Sequence, residues 1–585
     1  MAAVSVSETD ASPLAWDEEV DLLVCGAGAA GMTAALAASD AGLRVLVCEK
    51  HSQVGGSTAT SGGMIYAPGS LVSARKGLPD NAEEARRYLS AQIGPHGDPR
   101  FIDAFVDTAA TTIETLETRF GLRFEVPNPN PDYRDGPGAS KGGRTLVPAA
   151  FDGRLLGADF DLVRAPRDTL TILGGMMIAR REVALLLRPL GSLKALSFTL
   201  RTLARHARDR LRYKRGTRLL LGNSLVAQLL YALRRQNVPV RTGSALVDLV
   251  REEGRVVGAV LREGDSLRRV RARRGVVLST GGFAGSKPWL ARLAAHTPVE
   301  YSMAFEQSSG DAFDAAIAVG GSVDGSDDNA IFWMPVSVFE RTGQAPRLWM
   351  HGVLDRAKPG LIAVDAHGRR FANEGNSYHD FVRDMQFAGL AEAHLVCDAA
   401  FIRAYGLGMV PPMFGATARY LQAGYLKRGA SLAELAGAIG VDPAGLQRTV
   451  SDFNDAAADG SDPSFGRGST ALNIHNGDAS HRPNPCVAPI ATAPFYAVKV
   501  MPSILGTSAG LRTDIDGRVL DAGSRPIPGL YACGNDMSSM MRGSYPGPGI
   551  TLGPALVFGW RAGRHAAGLE PDEPSEPSRQ AAAAL

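Results

Sequence analysis

The sequence predicts an α/β protein: a Rossmann-like nucleotide-binding domain built from both ends of the chain, with an α+β domain inserted between them. Three observations carry this. Val20–Gly26, Ala29–Ala41 and Arg44–Glu49 read as strand, Ala-rich helix and second buried strand, a βαβ unit with almost no wasted residues. From about Trp333 to Ile504 the pattern changes: Trp, Pro and Met become more frequent, and strands mix with short helices. Val498–Tyr531 then returns to short strands, Leu530–Cys533 is another buried strand, and Leu552–His565 is a closing helix. The domains expected are 18–335 and 505–568 for the nucleotide-binding part, 336–504 for the inserted part, and a disordered Pro/Ser/Glu/Ala-rich tail over 569–585.

In the first part, Ala82–Gln92 and Phe101–Phe120 read as helices. Val238–Leu278 is strand-rich, with hairpin signals at Glu253-Gly254 and Glu263-Gly264. With 585 residues and 45% hydrophobic content, the chain can bury a large core. Its 67 glycines exceed the usual share of about 7% and cluster in short motifs rather than linkers. Charge is near balance, 62 basic against 60 acidic residues, so nothing global points to nucleic acid. The five cysteines (Cys25, Cys48, Cys397, Cys486, Cys533) form no CxxC pair. Cys25, Cys48 and Cys533 lie in apolar strands and read as buried free thiols, so no metal site is expected. Met1–Glu18 lacks the pattern of a signal peptide, and no apolar run is long enough to span a membrane. A cytoplasmic location is expected.

One segment departs from this balance. Arg180–Arg218, in a basic helical insertion over about 180–232, holds twelve Arg/Lys against Glu182 and Asp209, a local net of +10. Leu193, Leu196, Leu200, Leu203 and Leu211 recur through it. It suits either a solvated helix packed on the body or a peripheral helix on an anionic membrane surface.

Gly26-Ala27-Gly28-Ala29-Ala30-Gly31 is GxGxxG between a strand and a helix. The first glycine makes the turn, the second admits a pyrophosphate, and the third lets helix and strand pack. The helix N-terminus offers free N–H groups to phosphate. Glu49, followed by Lys50, ends the second strand 18 residues after Gly31, where a ribose hydroxyl needs an acceptor. A second Gly/Ser-rich segment, Gly55-Gly56-Ser57-Thr58-Ala59-Thr60-Ser61-Gly62-Gly63, follows closely. A dinucleotide with a large tricyclic ring needs such a segment along its ribityl chain, which selects FAD over NAD. Thr280-Gly281 and Gly534-Asn535 add tight turns after strands, and Gly549, Thr551 and Leu552 lead into the closing helix.

With these turns in this order, the chain resembles the fumarate reductase/succinate dehydrogenase flavoprotein superfamily over nearly its whole length. Covalent members attach FAD through a histidine near the second Gly-rich segment. Ser57 and Thr58 stand there, so the resemblance implies non-covalent FAD, and His51 is expected at the surface.

Gly534–Ala555 (GNDMSSMMRGSYPGPGITLGPA) resembles the 3-ketosteroid dehydrogenase branch, where a tyrosine, three residues and a glycine precede the closing helix. The Tyr545 hydroxyl and the Gly549 N–H are two donors able to hold a ketone oxygen and stabilise an enolate. The resemblance implies that role for both at the C3 carbonyl. Gly368–Tyr378 (GRRFANEGNSY) resembles the segment ending in the branch's proton-abstracting tyrosine, which makes Tyr378 the expected base. A tyrosine near pKa 10 is a poor base at pH 7, so positive potential or another hydroxyl must help. Asp132-Tyr133 resembles the segment of the assisting tyrosine. The Pro127–Pro131 stretch before it lacks the aromatic expected in a steroid pocket, whereas Phe332, Trp333, Met334, Trp349 and Met350 offer apolar surface.

A dicarboxylate enzyme would use a histidine and several arginines around the flavin. Leu505–Leu511 (LGTSAGL) lacks that histidine, and Arg542 is the only basic residue in Asn535–Thr551. The expected function is therefore FAD-dependent desaturation of a 3-ketosteroid A ring at the 1,2 position, with 4,5-desaturation as an alternative, hydride passing to the flavin and reoxidation by an external electron acceptor. Two alternatives stay open: a reductase of an unsaturated acid or enone, and a membrane-surface electron-transfer subunit.

Overall fold

The computed structural model describes residues 15–571, apart from positions 79, 128, 180, 181, 183, 184, 187, 188, 296–298, 326–329, 342 and 413–416. Asn128, Arg180, Arg181 and Arg188, together with 572–585 of the expected tail, lie outside the described residues.

Strand β1 (Glu18–Cys25) leads through the Gly26–Gly28 turn into helix α1 (Ala29–Asp40) and strand β2 (Val45–Glu49). The run of small alanines lets α1 be buried along nearly its whole length. Helices α2 (Leu193–Arg210) and α3 (Leu221–Arg235) precede β3 (Val240–Thr242), which pairs in parallel with β2. Strands β4 (Ser244–Glu252), β5 (Arg255–Glu263) and β6 (Ser266–Leu278) form an antiparallel meander. Its first turn is the expected Glu253-Gly254, both residues at positive φ (47° and 80°), the geometry that matches strand twist in a two-residue hairpin.

A second sheet holds β7 (Ile331–Arg341), β8 (Gln344–Met350), β9 (Leu361–Val364), β10 (Ala393–Asp398) and β11 (Phe495–Thr507), in the order β8-β7-β11-β10-β9. Helix α4 (Tyr378–Phe387) lies between β9 and β10 in sequence. Strand β12 (Pro526–Ala532) then returns to the first sheet, and helix α5 (Leu552–Ala566) follows.

The first sheet runs β3-β2-β1-β6-β5-β4. The second half of β6 pairs in parallel with β1 on one side and with β12 on the other, Val276 opposite Leu530 and Leu278 opposite Ala532. A Rossmann-like parallel sheet therefore draws strands from both ends of the chain. All five cysteines are free and buried.

The GRRFANE segment packs a buried ion cluster. Glu374 accepts from Arg370 at 2.8 and 2.7 Å, from Arg467 at 3.2 Å and from the Ala363 N–H at 2.9 Å, and Arg370 also reaches Asp462. Burial alone would raise the Glu374 carboxyl, but the two guanidiniums outweigh it and hold the group below the ordinary carboxylate range. Removing one partner from such a cluster strands buried charge. Glu374→Ala should lower unfolding stability by roughly 3–5 kcal/mol in urea titrations of the holoenzyme. Because the folded pKa is depressed, the stabilisation is complete above the unfolded value of about 4.3 and is lost as pH falls below it. Wild type should therefore lose more stability than Glu374→Gln on acidification.

Candidate active site

The two Gly-rich segments and the later turns meet at the carboxyl ends of β1, β2 and β6, where open α/β sheets bind ligands. The Gly55 N–H donates to the Ala27 carbonyl at 2.9 Å and the Ala29 N–H to Thr58 Oγ1 at 3.2 Å, so the second segment lies against the first. Gly26 sits at φ 111°, and a Cβ there would come 2.2 Å from the Ser279 carbonyl oxygen. A Cβ at Gly31 would come 2.1 Å from the Gly26 oxygen. Gly28 differs: the nearest protein atom to a Cβ there is Thr58 Oγ1, 3.9 Å away, so the helix N-terminus faces open space. Gly28 at the N-cap has no side chain to cap α1, Thr58 takes only the Ala29 N–H, and the first turn carries no acid. These are the donors and the room that a pyrophosphate requires, and the residues fit FAD.

Around this cradle, Glu49 is buried. Its carboxylate accepts from the Ala27 and His51 N–H groups, each at 3.0 Å. Ser57 Oγ accepts from the Phe305 N–H at 2.8 Å, and Ser61 Oγ bonds both Thr58 O and the Gly63 N–H. Thr280, Gly281, Gly534 and Asn535 are gathered by a residue the sequence reading missed. Buried Asp536 accepts from the Thr280 N–H, from Thr280 Oγ1 at 3.1 Å and from the Gly282 N–H at 2.7 Å. Burial pushes its carboxyl up to about 6. Thr551 directly precedes α5 without a capping side-chain bond, and Leu552 begins the helix. Lys50 is turned elsewhere, toward Ser309 and Asp311, its Nζ lying 2.7 Å from Asp311 Oδ2. His51, expected at the surface, is half-buried with its ring edge-on to Phe305.

Beyond the cradle, three tyrosines from distant parts of the chain form one cluster. The rings of Tyr378 and Tyr545 lie 5.2 Å apart, Tyr133 and Tyr378 5.6 Å, and Tyr133 stacks on Tyr545 at 5.9 Å and 14°. The Tyr133 hydroxyl donates to the Tyr378 hydroxyl at 3.3 Å. Phe332 meets Tyr545 edge-on. Met334 packs with Met303 and Val336, and Tyr378, Leu348 and Met350 pack against that group.

The Tyr545–Gly549 turn is rigid because its carbonyls are occupied. Pro546 O accepts from the Tyr133 N–H at 2.8 Å and from the Tyr88 hydroxyl at 2.7 Å. Pro548 O accepts from Thr145 Oγ1 and Gly549 O from the Tyr66 N–H. Gly549 sits at φ 93°, and a Cβ there would strike the backbone of Met64–Tyr66 at 2.6 Å. Tyr133 is held by its neighbours: Asp132 bonds Arg144 at 2.7 Å and Tyr66 Oη at 3.0 Å, while Arg134 pairs with Asp380 of α4. Tyr66 and Tyr88 belong to no motif, and no sequence signal marked them; Arg144 closes the Gly142-Gly143-Arg144 run that follows Tyr133.

Tyr378 is the first residue of α4, behind the Ser377 cap. Burial, and then the neighbouring Tyr133 and Tyr545, push its hydroxyl well above 10. Burial raises Tyr545 to about 12, partly offset by the Tyr378 and Thr551 hydroxyls. His379 stacks on Tyr545 at 5.7 Å, and its Nδ1 accepts from the Trp333 N–H at 3.2 Å. Burial lowers it to about 4, so it is neutral at pH 7. The cluster thus presents neutral hydroxyls in an apolar wall, an arrangement suited to a ketone.

The FAD binding domain family matches residues 21–552. The chain belongs to that family. It is an FAD-dependent oxidoreductase of the 3-ketosteroid dehydrogenase branch, within the superfamily that includes fumarate reductases. It is 37% identical to the 4-oxocyclohex-2-ene-1-carboxylate 5-dehydrogenase of Sinomonas cyclohexanicum, over 94% of both chains. It is 33% identical to a 3-oxosteroid 1-dehydrogenase of Mycobacterium tuberculosis, over 94% of this chain and 98% of the relative. The crystal structure of the 3-ketosteroid delta1-dehydrogenase of Sterolibacterium denitrificans, in complex with 1,4-androstadiene-3,17-dione, matches at a TM-score of 0.86 and 33% identity. That match covers 94% of this chain and all of the other.

Adding a methyl group at Gly31 forces the first turn open. Gly31→Ala should fold but lose most of its flavin, read as visible absorbance per mole of purified protein.

Proposed function

We propose that this flavoenzyme desaturates the A ring of a 3-ketosteroid at the 1,2 position, with non-covalent FAD as the hydride acceptor. The observation that carries the reading is the cluster in which Tyr133 bonds Tyr378 beside Tyr545. The names of the Mycobacterium and Sterolibacterium relatives support the ring position. The absence of a histidine from Gly55–Gly63 supports non-covalent binding. When bound, FAD supplies the two-electron acceptor.

In this reading the Tyr545 hydroxyl and the Gly549 N–H hold the ketone oxygen and favour its enolate. Tyr378 takes the proton from the ring carbon, and Tyr133 assists. Once Tyr378 has lost its own proton, the 3.3 Å contact can only be Tyr133 donating. Tyr378 opens α4, whose N-terminus carries positive potential. Electrons leave to an external acceptor. The basic segment Arg180–Arg218 contributes a peripheral membrane contact. A second reading, a small cyclic oxo acid as substrate, is favoured by the Sinomonas relative.

Anaerobic titration with 3-ketosteroids and with 4-oxocyclohexene carboxylates separates these. Bleaching of the flavin by ketosteroids supports the first reading, and bleaching by the oxo acids alone supports the second. If neither bleaches it while fumarate reoxidises the dithionite-reduced enzyme, the desaturase reading fails. Tyr378→Phe should bind ketone yet reduce flavin at least about 100-fold more slowly in stopped flow. Tyr545→Phe should cost about 100–1,000-fold through the lost donor. Because burial raises the Tyr378 hydroxyl, the wild-type reductive rate should climb with pH on the alkaline side of 7. Tyr378→Phe should flatten that climb.

A further inference from the structure

A charged side chain is almost never fully buried without an opposite charge beside it. Arg356 is 2% exposed, and each bond its guanidinium makes goes to a backbone carbonyl. Nε donates to His351 O at 2.6 Å, Nη1 to Glu374 O at 2.8 Å, and Nη2 to Gly352 O at 3.3 Å and Asn376 O at 3.1 Å. The acids beside it are committed elsewhere. The Asp355 carboxylate takes His351 Nδ1 at 2.7 Å, the Gly408 N–H at 3.3 Å and the Arg356 N–H at 2.9 Å. The Glu374 carboxylate takes Arg370 and Arg467. Burial lowers the Arg356 guanidinium to about 10, so it is a cation at pH 7. The carbonyl dipoles satisfy its N–H groups and leave a whole positive charge inside the protein.

That charge sits against the tyrosine cluster. Two of the four carbonyls, those of Glu374 and Asn376, belong to the turn that leads into Tyr378. A third belongs to Gly352, where a Cβ would meet the Tyr378 ring at 3.8 Å. The guanidinium also lies 4.7 Å from the centre of the Phe381 ring, one turn along α4 from Tyr378. Its charge is felt at Tyr133. Burial raises that hydroxyl, with Tyr545 adding to it, while the Tyr378 bond and the Arg356 charge pull it back.

The other charges around the cluster largely offset one another. Arg134 pairs with Asp380, His379 is neutral, and Arg383 lies over the Phe387 ring. Asp384, one turn beyond Phe381, is pushed up to about 6 by burial and then by Asp380, with Arg134 and Arg356 opposing. Arg356 is thus a cation left over for a phenolate at the tyrosine pair.

A tyrosine base must first exist as the phenolate. Tyr378 gives its phenolic proton to water, the O–H electron pair stays on oxygen, and the phenolate then takes the ring proton. We propose that Arg356 is the positioning residue for this step. Its guanidinium clamps the 374–376 turn before Tyr378, and its unpaired charge offsets the negative charge that the Tyr378–Tyr133 pair carries. The inference rests on the reading of Tyr378 as the base.

The test is the pH dependence of flavin reduction in stopped flow, with holoenzyme and the 3-ketosteroid or 4-oxocyclohexene carboxylate that bleaches it, at pH values where Arg356 stays charged. In Arg356→Gln the climb of the rate should move upward by at least about one pH unit, as expected for a lost neighbouring charge. The rate at pH 7 should then fall about tenfold, because one pKa unit is a factor of ten in phenolate. Arg356→Lys keeps the charge and should recover most of that shift. The ketone Kd should match wild type in both.

A glutamine variant with the wild-type profile overturns the proposal. So does a lysine variant shifted as far as the glutamine one, which would make the role structural. Should neither variant hold flavin, Asp384→Asn decides. Removing the acid that opposes Arg356 should move the climb to lower pH, and an unmoved climb overturns the proposal. Tyr378→Phe in the same series keeps the two readings apart: if it retains the wild-type climb, the base assignment itself fails, whatever the Arg356 variants do.

Discussion

The arrangement rests on the close approach of two helices from opposite ends of the chain. At Gly559 and Gly563 of α5, a Cβ would lie 2.4 Å from the Ala30 carbonyl oxygen and 2.3 Å from that of Ala34. Only glycine lets the helices pack this tightly. The contact pulls the C-terminal 534–551 segment onto the N-terminal phosphate turn. Gly534 lies against Ala30, and Asp536 staples the Thr280–Gly282 turn beside it. The same contact sets the origin of α5, and with it the place of Gly549 and Tyr545. The cofactor cradle and the Tyr545–Gly549 turn are therefore positioned by one interface rather than two.

Helix α4, set between two strands of the second sheet, contributes Tyr378, the proposed base, and its placement relies on ion pairing and backbone bonding rather than on apolar packing alone. Arg134–Asp380 ties α4 to the segment carrying Tyr133, and the Tyr133 N–H ties that segment to the Tyr545 turn. Three pieces of chain, near residues 133, 378 and 545, are thus cross-braced before any ligand arrives. Such pre-organisation matters because stabilising an enolate requires donors already aimed at the oxygen.

Charge is excluded from the reacting surface and kept behind it. His379 is neutral, the tyrosines are held neutral by burial, and Phe332 and Met334 complete the wall. The ions sit one layer back, in Arg370–Glu374–Arg467 and Asp132–Arg144. A buried hydroxyl is a weak acid, so in the proposed reaction the wall suits a neutral ketone and proton removal is the demanding step.

Much of this was legible in the residues themselves. Nucleotide turns need glycine at set spacings for steric reasons, so Gly26–Gly31 and Gly55–Gly63 announced the cradle, and short buried apolar runs announced the central strands. Tyr133, Tyr378 and Tyr545 were marked by resemblance of short segments. The bracing residues left no such mark. Asp536, His379, Tyr66, Tyr88 and Arg144 act through partners 12 to 458 positions away, and one buried polar residue looks like any other in a linear string. Lys50 shows the converse: its position beside Glu49 suggested the cofactor, but an acid 261 residues away claims it. The sequence alone determined a dinucleotide fold and the chemical groups available to it, because local backbone sterics dictate them. The tertiary structure decided which hydroxyls share a wall, which are held neutral and which leucines stay in water, because burial and long-range pairing exist only after the chain has folded.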